Sequence, residues 1–207
     1  MTQYSPPTTS PTTARARWRW RVVDIIVAAV LGVAIGLVFV AWNYLGGTGR
    51  HFLGAIFPPL KGLLSGVWLL GGVLGGLVIR KPGAAIFVEM IAALVPALIG
   101  NQWGITTLLS GLLQGLGAEV IFLIFFYRVW KLPIAMLAGA LAAAAEWVYE
   151  IIAWYADTTT TFKGLYLVAM MISGALLAGI LGWLAQRGLA RTGALDRFAS
   201  GREVRRH

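Results

Sequence analysis

Four glutamates set the chemical question in this chain: Glu89, Glu119, Glu146 and Glu150 each sit inside an apolar stretch. An ionisable group in hydrocarbon costs about 2.5–3.5 kcal/mol on insertion scales, and such groups mark function by default. A carboxyl placed there without a cation either holds a proton or awaits a positive ligand. At about 100° per residue, Glu146, Trp147, Glu150 and Trp154 fall within an arc of about 100°, with Tyr149 pointing away from it. Aromatic planes beside a carboxylate suit a flat, positively charged ring, which stacks or makes cation–π contact while the acid supplies charge. The competing explanation is an interfacial belt, where Trp is common in any membrane protein. Glu89 and Glu119 lie about 10 and 12 Å from the inner ends of their segments, at 1.5 Å per residue, so a shared depth is expected. A protonated Glu bridging two helices is the alternative for each. Gln114 adds an amide one to two turns away, and Trp68 is a further pocket candidate.

Other chemistries lack their residues. There is no cysteine, and the two histidines are His51 and His207, so a thiolate metal site and a histidine base are not expected. No P-loop, HExxH or paired-aspartate motif is present. Ser65, Ser110 and Ser173 have no intramembrane histidine to activate them. The expectation is a protein that is not an enzyme and holds no cofactor or metal.

The elements that position these residues are membrane helices. The chain is 58% hydrophobic and 12% charged, against about 45–50% and 25% for a soluble domain. Spans are expected over 22–45, 60–79, 83–99, 105–127, 133–155 and 164–184, since about 20 apolar residues cross a bilayer. The fold class is therefore all-α, a polytopic bundle of six transmembrane helices occupying residues 18–190. Residues 1–17, rich in Thr, Ser and Pro, read as a disordered tail, and 191–207 as a basic tail. The basic run before residue 22 resembles the start of a signal peptide. The apolar stretch after it is too long for a signal core and lacks a small-residue cleavage site, so it reads as a retained first helix. The glycine-rich connection 46–59 is expected to be a loop, either a lid or partly re-entrant.

Charge orients the bundle. Fourteen of the 17 Lys and Arg residues fall on one side if the spans alternate. They are four arginines before the first span, Arg80 with Lys81, Arg128 with Lys131, and six arginines from Arg187 onward. Arg50, Lys61 and Lys163 fall on the other side. The positive-inside rule then places both termini in the cytoplasm of a cell-membrane protein. Binding of the C-terminal tail to anionic lipid is a secondary expectation. Ala28, Gly32 and Gly36 recur every four residues on the first helix. Gly71, Gly75, Gly72 and Gly76 do so on the second, and Gly174, Ala178 and Gly182 on the sixth. Such stripes pack helices closely; the first, on a terminal helix, is also the best candidate for docking a separate membrane subunit.

Three segments carry a family resemblance: RKPGAAIFVEMIAALVPALIG (80–100), SGLLQGLGAEVIF (110–122) and MISGALLAGILG (171–182). They resemble the YkoE family, the substrate-binding S components of energy-coupling factor (ECF) importers for thiamine or its hydroxymethylpyrimidine precursor. The resemblance covers roughly residues 19–195. It implies a six-helix S-component fold, a transmembrane coupling protein and two cytoplasmic ATPases as partners, and a docking stripe on the first helix matching Ala28, Gly32 and Gly36. In that setting Glu150 would offset the thiazolium charge and Trp147 and Trp154 would stack on a ring. Glu119, Glu89 or Gln114 would hydrogen-bond the aminopyrimidine, with Glu146 and Trp68 nearby. Two other readings remain: a self-contained proton-coupled carrier using the four glutamates as a relay, and a purely structural membrane subunit.

Overall fold

The computed structural model describes residues 18–204; the expectation of a disordered 1–17 segment, and Arg205 and Arg206, lie outside them. The described residues form helices and turns. We label them α1 (Val22–Ile56), α2 (Pro58–Ile79), α3 (Ala84–Ile99), α4 (Gly104–Ile124), α5 (Leu132–Ala153), α6 (Thr160–Arg191) and α7 (Ala199–Val204). Five of the first six are long and apolar enough to cross a membrane, and α3 is a shorter apolar helix of 16 residues, or about 24 Å. Helices α1, α3, α4, α5 and α6 pack in sequence around α2, which touches all of them. Nine consecutive residues of α2, Gly71–Ile79, are buried. A helix apolar all round belongs at the centre of a bundle, and its LGGVLGGLVI sequence fits that place.

The first half of α2, Pro58–Leu69, winds as a 3-10 helix. At three residues per turn, side chains at i and i+3 eclipse, so Pro59, Gly62 and Ser65 line one buried face. That face is small because α6 lies against it. A Cβ at Gly66 would sit 2.3 Å from the Ser173 carbonyl oxygen, and the Gly66 N–H donates to Ser173 Oγ at 2.9 Å. Other glycines also serve contact: Gly179 approaches the Met136 backbone of α5, and Gly117 the Ala142 backbone.

One sequence expectation is corrected here. The 46–59 connection is not a lid or re-entrant loop: α1 continues as helix to Ile56, 35 residues in all, about 52 Å. Glycine costs a helix interior about 1 kcal/mol each, but tertiary contact outweighs it. Trp42 covers Gly46, Gly49 faces Leu64, and Trp42 Nε1 donates to the Leu64 carbonyl at 3.1 Å. The basic tail packs on the bundle as far as Val204. Leu195, Phe198 and Ser200 are buried against the bundle, and Ser200 Oγ donates to the Val78 carbonyl at 2.8 Å.

Candidate binding site

Helices α1, α2, α3, α4 and α5 enclose a cavity of about 680 Å³, its open mouth included, at the end of the bundle opposite the basic connections. The cavity's polar groups form two chains. In the first, Gln114 Nε2 donates to Ser110 Oγ at 2.8 Å and Ser110 Oγ donates to Glu146 Oε1 at 2.6 Å. Glu146 Oε2 is buried and has no hydrogen-bond partner among the described residues. In the second, Arg50 donates to Ser65 Oγ at 2.7 Å and to the Tyr166 hydroxyl at 3.2 Å, and that hydroxyl donates to Glu150. The cavity thus sets two carboxyls against one guanidinium.

Aromatic rings wall the same space. Trp68 meets Trp42 and Trp103 edge-on, with centroids 6.5 and 5.7 Å apart, and Arg50 lies 5.6 Å from its ring centre. Trp68 Nε1 donates to Asn43 Oδ1 at 2.8 Å, which fixes the indole. Trp103 is held by its own N–H on Asn101 Oδ1, 2.8 Å. Trp154, 53% exposed at the end of α5, stands at the mouth.

Of the sequence candidates, Glu146, Glu150, Gln114, Trp68 and Trp154 line the cavity; Trp147, Glu119 and Glu89 do not. Trp147 faces α6 and donates to the Lys163 carbonyl at 2.9 Å. Tyr149, expected to point away, is in the lining. The cavity-facing arc of α5 is therefore centred on Glu146 and Glu150 and extends to the Tyr149 flank. Glu89 is fully buried, with Oε2 accepting from the Gly72 N–H at 2.5 Å, near the point where α2 changes from 3-10 to α winding.

Glu119 has a different task. Its carboxyl accepts from the Gly83 N–H at 2.6 Å, the Ala85 N–H at 2.9 Å and the Tyr127 hydroxyl. It caps α3 from a neighbouring helix, satisfying amides that the first turn leaves free. Because Glu119 reaches the start of α3 while Glu89 faces Gly72, the two do not share one depth. Burial and Glu119 together push the Tyr127 phenol well above its ordinary value, so it stays a donor.

The quoted motifs now have a physical reading. In RKPG, Arg80 ends α2 at φ 58° and Gly83 turns into α3 at φ 83°, a left-handed conformation that favours glycine. Lys81 pairs with Asp24, which also accepts from Arg21 at 2.8 Å, and Pro82 accepts from Trp20 Nε1 at 2.9 Å. QGLGAE supplies Gln114 to the cavity, two close-contact glycines and the Glu119 cap. The first-helix stripe is turned inward, which corrects the docking expectation for Ala28, Gly32 and Gly36. All three are buried, and a Cβ at Gly32 or Gly36 would lie 2.6 Å from Ile91 or Val95 of α3.

Sequence reasoning missed Arg50, Asn43, Trp103 and the Ser65 and Ser110 bridges. Arg50 falls in the expected 46–59 loop; a helical reading of 46–56 places it one turn beyond the apolar core.

Comparison with known proteins fits this architecture. The family model described as "ABC-type cobalt transport system, permease component" matches residues 23–145. The HMP/thiamine permease protein YkoE of Bacillus subtilis (strain 168) is 36% identical over 189 residues, 90% of this chain and 93% of that protein. A 110-residue stretch is 30% identical to the glucuronide carrier protein homolog of Escherichia coli (strain K12), covering 53% of this chain and 23% of that one. A crystal structure of an S-component of an ECF transporter superposes with TM-score 0.84 at 36% identity, over 91% of this chain and 94% of the other. With its fold, helix order and near full-length likeness in agreement, the chain belongs to the YkoE family of ECF-transporter S components.

Proposed function

We propose that this protein captures thiamine, or its hydroxymethylpyrimidine precursor, as the substrate-binding subunit of an ECF importer. The observation that carries the reading is the cavity itself: indole walls, two carboxyls and one guanidinium that leave a net site for a flat cation. Glu150 would face the thiazolium, with Trp154 or Trp68 against a ring. Glu146 and Gln114 would meet the aminopyrimidine edge. The basic end of the bundle would be cytoplasmic and the cavity mouth outside. Transport energy would come from ATPase subunits through a membrane coupling protein.

Calorimetry on the purified protein tests this. Dissociation constants below about 1 μM, near −8 kcal/mol, are expected for thiamine or hydroxymethylpyrimidine; no such binding by either overturns the proposal. Glu150→Gln should weaken thiamine more than the neutral pyrimidine, and equal losses would remove Glu150 from the cation role. A proton relay through the four glutamates gains no support from the geometry. Among the described residues their hydrogen bonds run to Gly72, Ser110, Tyr166, Tyr127 and the start of α3, not to one another. Uptake into liposomes by this chain alone would nonetheless favour the carrier reading over the S-component one.

A further inference from the structure

A second cavity, of about 570 Å³ with its mouth, opens at the basic end between α2, α5, α6 and α7. Arg80, Lys131 and Arg187 line it together with Trp130, Trp183 and Glu203. The cations are posed by the indoles: Arg80 lies 5.0 Å from the Trp130 ring centre and Arg187 4.3 Å from that of Trp183. Arg80 pairs with Glu203, whose side chain is 52% exposed. Among the described residues, neither Lys131 nor Arg187 has a carboxylate within ion-pair distance.

The wall of this cavity is built. Gln186 Nε2 donates to the Ser200 carbonyl at 3.0 Å, and Ser200 Oγ to the Val78 carbonyl at 2.8 Å. These bonds tie α7 to α6 and α2 and hold Glu203 over Arg80. Three cations against one acid leave a surplus positive charge in a recess at the end of the spans. Tryptophans at that depth match the headgroup layer, and guanidinium groups suit the paired oxygens of phosphate.

We propose that this recess binds a phosphate-bearing anion, with Arg80, Lys131 and Arg187 as its contacts and Glu203 as a resident plug that the anion displaces. Two sources carry that chemistry at a membrane edge: the headgroup of an anionic phospholipid and free phosphate. Burial pulls the Arg80 guanidinium below its ordinary value despite Glu203, consistent with a cation whose compensation is incomplete.

The test uses the full chain in detergent and native mass spectrometry with added phosphatidylglycerol or phosphatidylcholine, inorganic phosphate serving as the soluble competitor. Phosphatidylglycerol should bind in preference. Arg187→Gln and Lys131→Gln should each weaken it about fivefold, from about 1 kcal/mol per cation near a headgroup. Glu203→Gln should strengthen it by freeing Arg80, a gain that misfolding cannot produce. Displacement of the lipid by millimolar phosphate, with phosphate binding alone, supports the site with the soluble source. Lipid binding that phosphate does not displace supports it with the headgroup as source. The proposal is overturned if the two lipids bind equally and phosphate does not bind. It is also overturned if Arg128→Gln, exposed at the same end but outside the recess, costs as much as Arg187→Gln, or if Glu203→Gln produces no gain.

Discussion

Replacing Glu146 by glutamine should separate binding from stability with opposite signs. Ser110 Oγ receives a hydrogen bond from Gln114 and so must spend its own proton on residue 146. That position must keep an acceptor, which fixes the orientation of the new amide. Its oxygen takes the place of Oε1, and its nitrogen takes the place of the unpartnered Oε2. An acceptor oxygen is exchanged for an N–H donor. A ligand amino group that donated to the carboxyl would then meet another donor. A hydrogen bond to a charged group contributes about 1.5–3 kcal/mol, so the dissociation constant should rise roughly ten- to a hundredfold. The ligand-free protein should hold or gain thermal stability, because a neutral amide costs less to bury than a carboxylate. Calorimetry with thiamine and with hydroxymethylpyrimidine, alongside a thermal melt, checks both signs. Unchanged affinity for both ligands with an unchanged melting temperature would refute the assignment of Glu146 Oε2 to ligand recognition.

Glu119→Gln should behave in the reverse way. One amide oxygen cannot serve three converging donors, so a loss of about 2–4 kcal/mol of stability is expected with ligand affinity intact in the folded fraction; a selective loss of affinity would return Glu119 to the site. Gly36→Val forces a side chain into Val95 and should cost about 1–3 kcal/mol by overpacking, read as a lower melting temperature; an unchanged melt with failed complex assembly would restore the docking role of the stripe. Trp103→Ala should weaken ligand at least twofold, from about 0.5–2 kcal/mol per ring–cation contact, whereas Trp147→Phe should leave calorimetric affinity alone. Equal effects of the two would show that the arc of α5 has been centred wrongly.

The spans were legible because a bilayer demands about 20 apolar residues in a row, and little else in a sequence produces that. The upper part of α1 was not, because four glycines between Gly46 and Gly54 read as a loop when taken locally. Their helix is set by Trp42 and Leu64, contacts that periodicity does not encode. The site was half legible for a similar reason. Cost alone singled out the buried acids, and two of the four prove to serve helix joints: Glu119 caps α3 and Glu89 anchors Gly72. A helical wheel puts Glu146, Glu150 and Trp154 on the side of α5 that lines the cavity but misplaces one flank, since one helix's pattern does not say where its neighbours stand. Trp147 went to α6 and Tyr149 to the cavity. Arg50 was invisible as a site residue while its helix was read as ending at Leu45.

The length of α1 makes it a lever. Near one end, Asp24 is clamped by Lys81 and Arg21; near the other, Arg50 reaches the Tyr166–Glu150 pair. The 26-residue step from Asp24 to Arg50 spans about 39 Å of helix. A pivot of about 5° at the clamp would carry the guanidinium about 3 Å, enough to part it from the Tyr166 hydroxyl. A tilt of this rod at the basic end would therefore shift the charge beside Glu150, but only by also straining the Trp42–Leu64 and Trp68–Asn43 hydrogen bonds that fasten α1 to α2.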